Sequence, residues 1–280
     1  MSFAETKNSR ENLTKKATAY LLGFSYNGDL IDALKNNDNF KEGKDFEINK
    51  NTRIRIRRLE YQDENNSFFA LFTFYDPDAS IPVTPTLDKE NNTEIVDLRH
   101  IENYDKRHIF IIIDSKNIYA ISQIVATHHS ASLNSIFKAL SLEINVRDKI
   151  DKSTIQKIRS EKIKNIGVSV QTTAKDIDEI KVPSKMSLFK KEKDDAPFYG
   201  TLTLNYKDNI SLVNEATDNI EMYIDELSND FFIETRKGSI IKSSEIKTKK
   251  DYYTTPYGTK TIKDINAKEI LEDFIKYVVQ

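Results

Sequence analysis

The chain has 280 residues, of which 38% are hydrophobic and 31% charged, so it can bury a core and lacks the composition of a disordered polymer. Its formal net charge is −2 and it contains no cysteine, which excludes disulfides, thiolate metal sites and cysteine nucleophiles. The polar first residues predict no secretory signal, and no apolar segment approaches the roughly 20 residues that span a bilayer. We therefore expect a cytoplasmic protein.

The first half of the chain has the pattern of an antiparallel sheet, because hydrophobic residues alternate with polar ones over several segments. The turn residues 114–117 separate two further apolar segments and predict a hairpin. A helix is expected over 133–140 with Ser132 as its N-cap, the proline-rich segment 76–92 predicts a loop, and the apolar segment 17–26 fits either a strand or a helix. The alternating positions are Phe46, Ile48, Ile54, Ile56, Phe68, Ala70, Phe72 and Phe74.

The second half of the chain alternates between predicted helices and strands, which completes the pattern of an α+β protein. We expect an antiparallel β-sheet domain with helices over residues 1–145, followed by a second, smaller α+β domain over residues 146–280. The segments that support the second domain are a basic amphipathic helix over 153–162, strands over 163–171 and 198–206, an acidic helix over 210–227, a strand pair over 231–236 and 239–246, and a final helix over 265–279.

The small net charge conceals alternating blocks of opposite sign. Residues 1–145 hold 18 Lys and Arg against 21 Asp and Glu, whereas residues 146–193 hold 13 against 7, a net of +6. The next block, 194–232, holds 1 against 9, and residues 233–268 hold 9 against 4, which gives net charges of −8 and +5. Positive charge is thus concentrated in two segments of the second half, a distribution that favours nucleic-acid binding if the fold brings them together.

Three arginines in the first half form one candidate for a phosphate-binding surface. Arg53, Arg55 and Arg57 alternate with Ile54 and Ile56, so their side chains are expected on one face of a strand. Guanidinium groups bind phosphate through bidentate contacts, which suits the DNA backbone. The alternative is a solvated face on which the arginines pair with nearby acids, and the acids considered are Glu47, Glu60 and Asp63.

Basic residues of the second half form another candidate. Clusters of lysine and arginine attract duplex DNA through the release of counterions, which requires a positive surface rather than a positive total charge. Solvated charges without a ligand are the alternative explanation. The residues expected to contact DNA, besides the three arginines, are Lys157, Arg159, Lys162, Lys164, Lys190, Lys191, Arg236, Lys237, Lys242, Lys247, Lys249 and Lys250.

Motifs for catalysis are scarce. Glu245 and Lys247 form an E-x-K triplet on a predicted strand downstream of Asp230, an arrangement that nucleases use to hold Mg²⁺ and position water. His128 and His129 are adjacent and would point to opposite faces of an extended segment, so they cannot easily bind one metal ion. The sequence therefore predicts no metal site, no cofactor and no catalytic residue, and a metal-dependent nuclease stays an alternative.

The order of the elements resembles that of a known family. The segment 117–140 combines a hairpin strand with a helix, and it follows a β-meander. Lysine-rich segments, the strand pair within 231–246 and a final helix that follows 259–270 complete the pattern. In length and layout the chain resembles the RexA family of phage lambda, whose members act in phage exclusion. The resemblance implies a homodimer that binds double-stranded DNA with little sequence preference, and it supplies no catalytic motif.

These features predict a non-sequence-specific double-stranded DNA-binding protein that acts in phage exclusion as a homodimer. This function requires the fold to bring 146–193 and 233–268 together and to turn 194–232 away. One alternative is a protein-interaction module or inhibitor that uses the acidic block against a basic partner in a phage–host defence system. The other is the metal-dependent nuclease.

Overall fold

The structure is a computed structural model, and it describes residues 14–83, 97–123, 129–173, 197–205, 214–215, 217–218, 220, 231–258 and 261–279. These residues divide into two compact units. Unit 1 comprises the described residues up to Lys149 and those from Lys249 onward, and unit 2 comprises those from Ile150 to Thr248. The division expected from the sequence, after residue 145, assigns 249–280 to the second part of the chain, whereas the structure groups this segment with unit 1.

The described elements combine helices with antiparallel strands, which confirms the α+β class in its general form. None of the described helices is long and apolar enough to cross a membrane. The strands are β1 (Lys15–Ser25), β2 (Asp45–Asn49), β3 (Thr52–Gln62), β4 (Ser67–Val83), β5 (Asp97–Ile113), β6 (Asn117–Gln123), β7 (Asn145–Asp148), β8 (Ile163–Thr173), β9 (Pro197–Asn205), β10 (Phe231–Thr235), β11 (Ile240–Lys242), β12 (Lys249–Thr254), β13 (Pro256–Tyr257) and β14 (Thr261–Ile262). The helices are α1 (Leu30–Lys35), α2 (His129–Ala139), α3 (Lys152–Glu161), α4 (Ser243–Ile246) and α5 (Asp264–Val279), and a 3₁₀ turn spans Asp63–Asn65.

The main sheet of unit 1 has the order β12–β1–β6–β5–β4–β3–β2, and β7 also pairs with β1. Both of its faces are covered. Helices α1 and α2 pack on one face, called the α2 face, against side chains such as Ile54 and Phe72. Helix α5 packs on the opposite face, called the α5 face, where the rings of Phe274 and Tyr119 lie 6.3 Å apart. Burial on both sides explains why the apolar run at 109–113 is continuous rather than alternating.

Strand β1 determines where unit 2 is inserted in the chain. One edge of β1 pairs with β6, and the other edge pairs with β12 and then with β7. Tyr20 lies opposite Lys249, and Leu22 lies opposite Asp148. The chain therefore leaves unit 1 and returns to it at neighbouring positions of one strand. The segment 17–26, for which the sequence allows both a strand and a helix, forms most of β1.

The prediction of a loop over 76–92 is wrong for the first part of that segment. Strand β4 continues as far as Val83, and 84–92 lies outside the described residues. Beyond Tyr75, β4 pairs with β5 but no longer with β3. Pro77 therefore lies in an edge strand, where a residue without an N–H group is tolerated.

Two further local predictions change in the structure. The helix expected over 133–140 begins earlier, so Ser132 lies in the first turn of α2 rather than at its N-cap. The strand expected over 239–246 ends at Lys242, and the single turn of α4 follows it. This turn is stabilised by the Glu245 carboxylate, which accepts a hydrogen bond from the Lys242 amide at 2.8 Å. Such a capping contact overrides local alternation of apolar residues.

Unit 2 contains a sheet in the order β11–β10–β8–β9. Its described core is mainly aliphatic, with Ile158 of α3 and Ile163 and Ile233 of the sheet fully buried. Helix α3 begins at an Asp151 N-cap, whose side chain accepts a hydrogen bond from the Thr154 amide at 2.8 Å. The amphipathic helix and the two strands predicted for this part of the chain are confirmed as α3, β8 and β9.

Gly167 of β8 is expected to tolerate substitution poorly. It lies opposite Phe232 of β10, and a Cβ at this position would approach the Phe232 ring to 2.3 Å. Gly167→Ala should therefore lower the free energy of unfolding by about 1–3 kcal/mol, because the ring must move. Urea unfolding measures the loss. Gly167→Ala combined with Phe232→Ala should lose less than the sum of the single variants, and additive losses would contradict the steric explanation.

Candidate nucleic-acid interface

Arg53 and Arg55 lie on one face of β3 as predicted, but both already contact a carboxylate. Asp45 of β2 accepts hydrogen bonds from Arg53 Nε at 2.6 Å and from Arg55 Nε at 2.9 Å. Tyr75 of β4 donates to the same carboxylate and accepts from Arg55 Nη2 at 3.0 Å. The arginines are thus paired with an acid, as in the alternative interpretation, although that acid is none of the three considered from the sequence.

Arg57 belongs to a second polar group of unit 1. Strand β3 bulges at this residue, because its pairing with β4 shifts there. Arg57 Nη1 donates to Asp105 at 3.2 Å, and His108 Nε2 lies 2.9 Å from the same carboxylate oxygen. His108 is only 6% exposed, and its Nδ1 lies 3.0 Å from Thr261 Oγ1 of β14. The contact between residues so remote in sequence left no local signal, so His108 and Thr261 were not predicted.

The contacts of these two groups fix the charge of their carboxylates. Burial acts to raise the pKa of Asp45, but hydrogen bonds from Tyr75 and the two arginines outweigh it and hold that pKa below its usual value. At Asp105, burial is outweighed by the hydrogen bond and charge of His108 and by the charge of Arg57, so its pKa is also lowered. Both carboxylates are ionised at neutral pH and offset arginine charge. The arginine face is therefore a paired polar surface rather than an open phosphate site.

In unit 2 the structure brings two of the predicted basic segments together. The Arg236 amide, in the turn after β10, donates to the Lys162 carbonyl at the end of α3, at 2.9 Å. Arg236 Nε also donates to the carbonyl of Ile163 at 3.3 Å. The end of α3 and the β10–β11 turn therefore form one end of unit 2, and the described parts of 157–164 and 236–237 meet there.

Glu161 lies among the cations at this end of unit 2. Hydrogen bonds from Thr235 and Ser239 lower the pKa of Glu161, and the charges of Lys157 and Lys237 lower it further. The side chains of both lysines are exposed, as is that of Lys162. Among the described residues at this end, the cations outnumber the acids Glu161 and Asp218, which gives a local excess of positive charge. These cations, which together form the basic end of unit 2, are Lys157, Lys162, Arg236 and Lys237.

Two other residues of unit 2 that the sequence predicts to contact DNA have partners within the protein. Lys164 Nζ forms an ion pair with Glu234 at 2.5 Å. Arg159 Nη2 donates to the carbonyl of Asp218 at 3.2 Å, and Arg236 Nη2 donates to Asn214 Oδ1 at 3.5 Å. These described residues of the acidic block 194–232 therefore lie against this end of unit 2, whereas the sequence-based function required the block to be turned away. The side chains of Lys164 and Arg159 both border the basic end of unit 2, and the charge of Lys164 is offset by the Glu234 carboxylate.

The E-x-K triplet lacks the strand geometry on which the nuclease hypothesis depends. Glu245 lies in α4 and caps its first turn, while Lys247 follows the helix as its C-cap. Among the described residues, no group of three or more His, Asp or Glu is arranged to hold a metal ion, and Asp230 lies outside this part of the chain. Lys242 is exposed immediately before α4.

The remaining residues that the sequence predicts to contact DNA lie in unit 1 or outside the described residues. Lys249 and Lys250 belong to β12 of unit 1, so their closeness in sequence to Lys237 does not place them in the same unit. Lys250 Nζ forms an ion pair with Asp273 of α5 at 2.9 Å and lies 4.9 Å from the centroid of the Tyr252 ring. Outside the described residues lie Lys190, Lys191 and most of the acidic block 194–232.

Unit 1 also has an acidic cavity that the sequence did not indicate. Its volume is about 850 Å³, and it lies between the 3₁₀ turn after β3 and helix α5. Apart from Lys276, its charged lining residues are acidic, and they come from segments remote in sequence. A cavity of this charge repels phosphate groups. The lining carboxylates are those of Glu60, Asp63, Glu64, Asp114 and Glu272.

Comparisons with known proteins assign no family to the chain: no protein-family model matches it, and no curated protein matches it significantly. Function is therefore inferred from the charges and contacts of the residues that the structure describes.

Asp45→Asn is expected to lower the free energy of unfolding at neutral pH. It should also weaken the decrease of that free energy as the pH falls. The folded-state pKa of Asp45 lies below the ordinary value of 3.8, so ionised Asp45 stabilises the fold above that pH. This stabilisation is lost as the pH falls through the folded-state pKa. Urea unfolding between neutral pH and about pH 2 measures both effects.

Glu47→Gln is the matched control for Asp45→Asn, because Glu47 is an exposed acid two residues further along β2. This control should keep the acid dependence of the wild-type protein. If Asp45→Asn also keeps it, Asp45 does not stabilise the arginine pair as the contacts indicate.

Proposed function

We propose that this protein binds double-stranded DNA through the phosphate backbone, without reading the sequence, and that the basic end of unit 2 makes the contact. The observation that supports the proposal is the hydrogen bond between the Arg236 amide and the Lys162 carbonyl, which joins two basic segments remote in sequence. Exposed lysines on both segments give a local excess of positive charge. Such a surface gains affinity for DNA by releasing counterions, and it needs no contact with bases.

The charges of unit 1 favour placing the contact in unit 2. The arginines of β3 are paired with Asp45 and Asp105, so less of their charge is available to a phosphate. The acidic cavity beside α5 adds negative charge to the same unit. A DNA backbone is therefore attracted more strongly by Lys157, Lys162 and Lys237 than by the β3 arginines.

The proposal extends to a homodimer that acts in phage exclusion in the cytoplasm, with the two compact units as separate domains. The resemblance of the element order to the RexA family supports this extension. A dimer would present two basic ends, and simultaneous contact of both with one duplex would raise the apparent affinity without any new contact.

Neutralising the basic end of unit 2 should weaken DNA binding. In the triple variant Lys157→Gln, Lys162→Gln, Lys237→Gln, the slope of log affinity against log salt should fall by about 1 for each phosphate that is no longer neutralised. Fluorescence anisotropy of a labelled duplex at several salt concentrations measures the slope. Two duplexes of unrelated sequence should respond equally, since no base is read.

The matched control removes the same charge from unit 1. Lys44, Lys50 and Lys116 are exposed there, and replacing all three by Gln should leave the salt slope close to that of the wild-type protein. Equal losses of affinity in the two triple variants would show that binding follows net charge rather than the basic end of unit 2. Absence of wild-type binding even at low salt would overturn the proposed function.

A further inference from the structure

The acidic cavity beside α5 in unit 1 has a negative charge that neighbouring lysines offset only in part. Its described lining has five carboxylates and one ammonium group, that of Lys276. One of the carboxylates, that of Glu60, forms an ion pair with Lys268 of α5. Five carboxylates against two ammonium groups leave a net charge of −3 at the cavity. A concave surface of this charge attracts cations.

The cavity has the size and the mixed lining of a small-molecule site. Its volume of about 850 Å³ lies within the range of roughly 300–1,000 Å³ that ligand pockets occupy. Ile112 of β5, which is 1% exposed, and the partly buried Ile275 of α5 add apolar surface to the lining. A ligand that fills this cavity must therefore combine positive charge with apolar segments.

Two of the carboxylates are held in place by the protein itself. The Asp114 carboxylate accepts hydrogen bonds from two backbone amides of its own turn, both at 2.7 Å. Ser67 Oγ donates to the Gln62 side-chain oxygen at 2.9 Å, and Gln62 Nε2 donates to Glu272 Oε1 at 3.3 Å. Because these acceptors are already oriented, a cation that binds them loses little affinity to the ordering of side chains.

The carboxylates are too dispersed to bind one metal ion together. Asp63 and Glu64 are exposed on the 3₁₀ turn after β3, whereas Asp114 follows β5 and Glu272 lies in α5. No three acids among the described residues are arranged to hold a metal ion. Negative charges that are separated in this way suit a ligand whose positive charges are also separated.

We propose that the acidic cavity of unit 1 binds a linear polyamine, in which short methylene chains separate the ammonium groups. The ammonium groups donate charge-assisted hydrogen bonds to the dispersed carboxylates. The methylene chains bury apolar surface against Ile112 and Ile275. This site goes beyond the proposed DNA contact and does not depend on it, since it lies in unit 1.

Isothermal titration calorimetry of the full chain without DNA tests the site, with spermidine as the probe. Spermidine should bind saturably at physiological ionic strength, and its affinity should fall as salt is added, because salt screens the charges. Hexaamminecobalt(III) carries the same charge but no methylenes. It should bind about tenfold more weakly, which corresponds to the loss of roughly two buried methylenes.

Neutral variants of the lining carboxylates locate the binding. The triple variant Asp63→Asn, Glu64→Gln, Glu272→Gln should abolish the measurable binding of spermidine. Its Tm without spermidine should equal or exceed that of the wild-type protein, because mutually repelling charges are removed. Glu272→Gln alone should weaken the affinity about tenfold, which is typical of a lost hydrogen bond to a charged group.

The matched control removes the same charge elsewhere in unit 1. Glu47, Glu102 and Glu143 are exposed there, and replacing all three by Gln should leave the affinity for spermidine close to that of the wild-type protein. An equal loss of affinity in the two triple variants would overturn the site, because binding would then follow net charge.

Three other outcomes would also overturn the proposal. They are the absence of saturable spermidine binding to the wild-type protein, equal affinities for spermidine and hexaamminecobalt(III), and unchanged binding in the triple variant of the cavity. If that variant does not fold by circular dichroism, Glu272→Gln decides: an unchanged affinity overturns the site, and an affinity about tenfold weaker supports it. Since DNA is absent from the titration, none of these results depends on the proposed DNA contact.

Discussion

Pairing between β1 and β12 is the constraint on which the organisation of the chain depends. Thr18 Oγ1 donates to Asp251 at 2.6 Å across 233 residues of sequence, and the two strands pair over Lys15–Tyr20 and Lys249–Thr254. Helix α5 follows β12 and covers the α5 face, where Phe274 is fully buried. The entropy lost in closing so long a loop is offset by this burial. Strand β7 pairs with the adjacent part of the same edge of β1, so unit 2 consists of the chain between β7 and β12.

Carboxylates on neighbouring strands neutralise some of the cations, and this pairing decides which basic residues stay available to a ligand. In unit 1, strand register places Asp45 beside Arg53 and Arg55, so a sequence with three alternating arginines yields a paired surface. In unit 2, a helix end and a turn meet, and exposed lysines from both face the solvent. Arg107 of β5 is different from both groups, because it is partly buried, its guanidinium lies over the Phe74 ring, and no carboxylate among the described residues contacts it. Basic residues are therefore found in three different environments in one chain.

Local periodicity was sufficient to predict most strands and the two long amphipathic helices. The apolar segment 68–74 is visible because β4 is buried on both faces, with Phe72 on the α2 face and Leu71 on the α5 face. The spacing of Ile155 and Ile158 is visible because α3 buries a single stripe. Partners remote in sequence could not be predicted. Asp105 reaches Arg57 through a β-bulge, and a bulge depends on pairing between strands rather than on local composition. For the same reason, the return of 249–280 to unit 1 had no local signal.

Lysine footprinting tests the central claim most directly. Exposed lysines of the full chain are acetylated with and without duplex DNA at low salt, and mass spectrometry measures the modification of each. Contact through the basic end of unit 2 predicts that DNA protects Lys157, Lys162 and Lys237. It also predicts unchanged modification of the exposed lysines of unit 1, which include Lys44, Lys50 and Lys116. Protection confined to unit 1, or equal at all six lysines, would contradict the proposed interface.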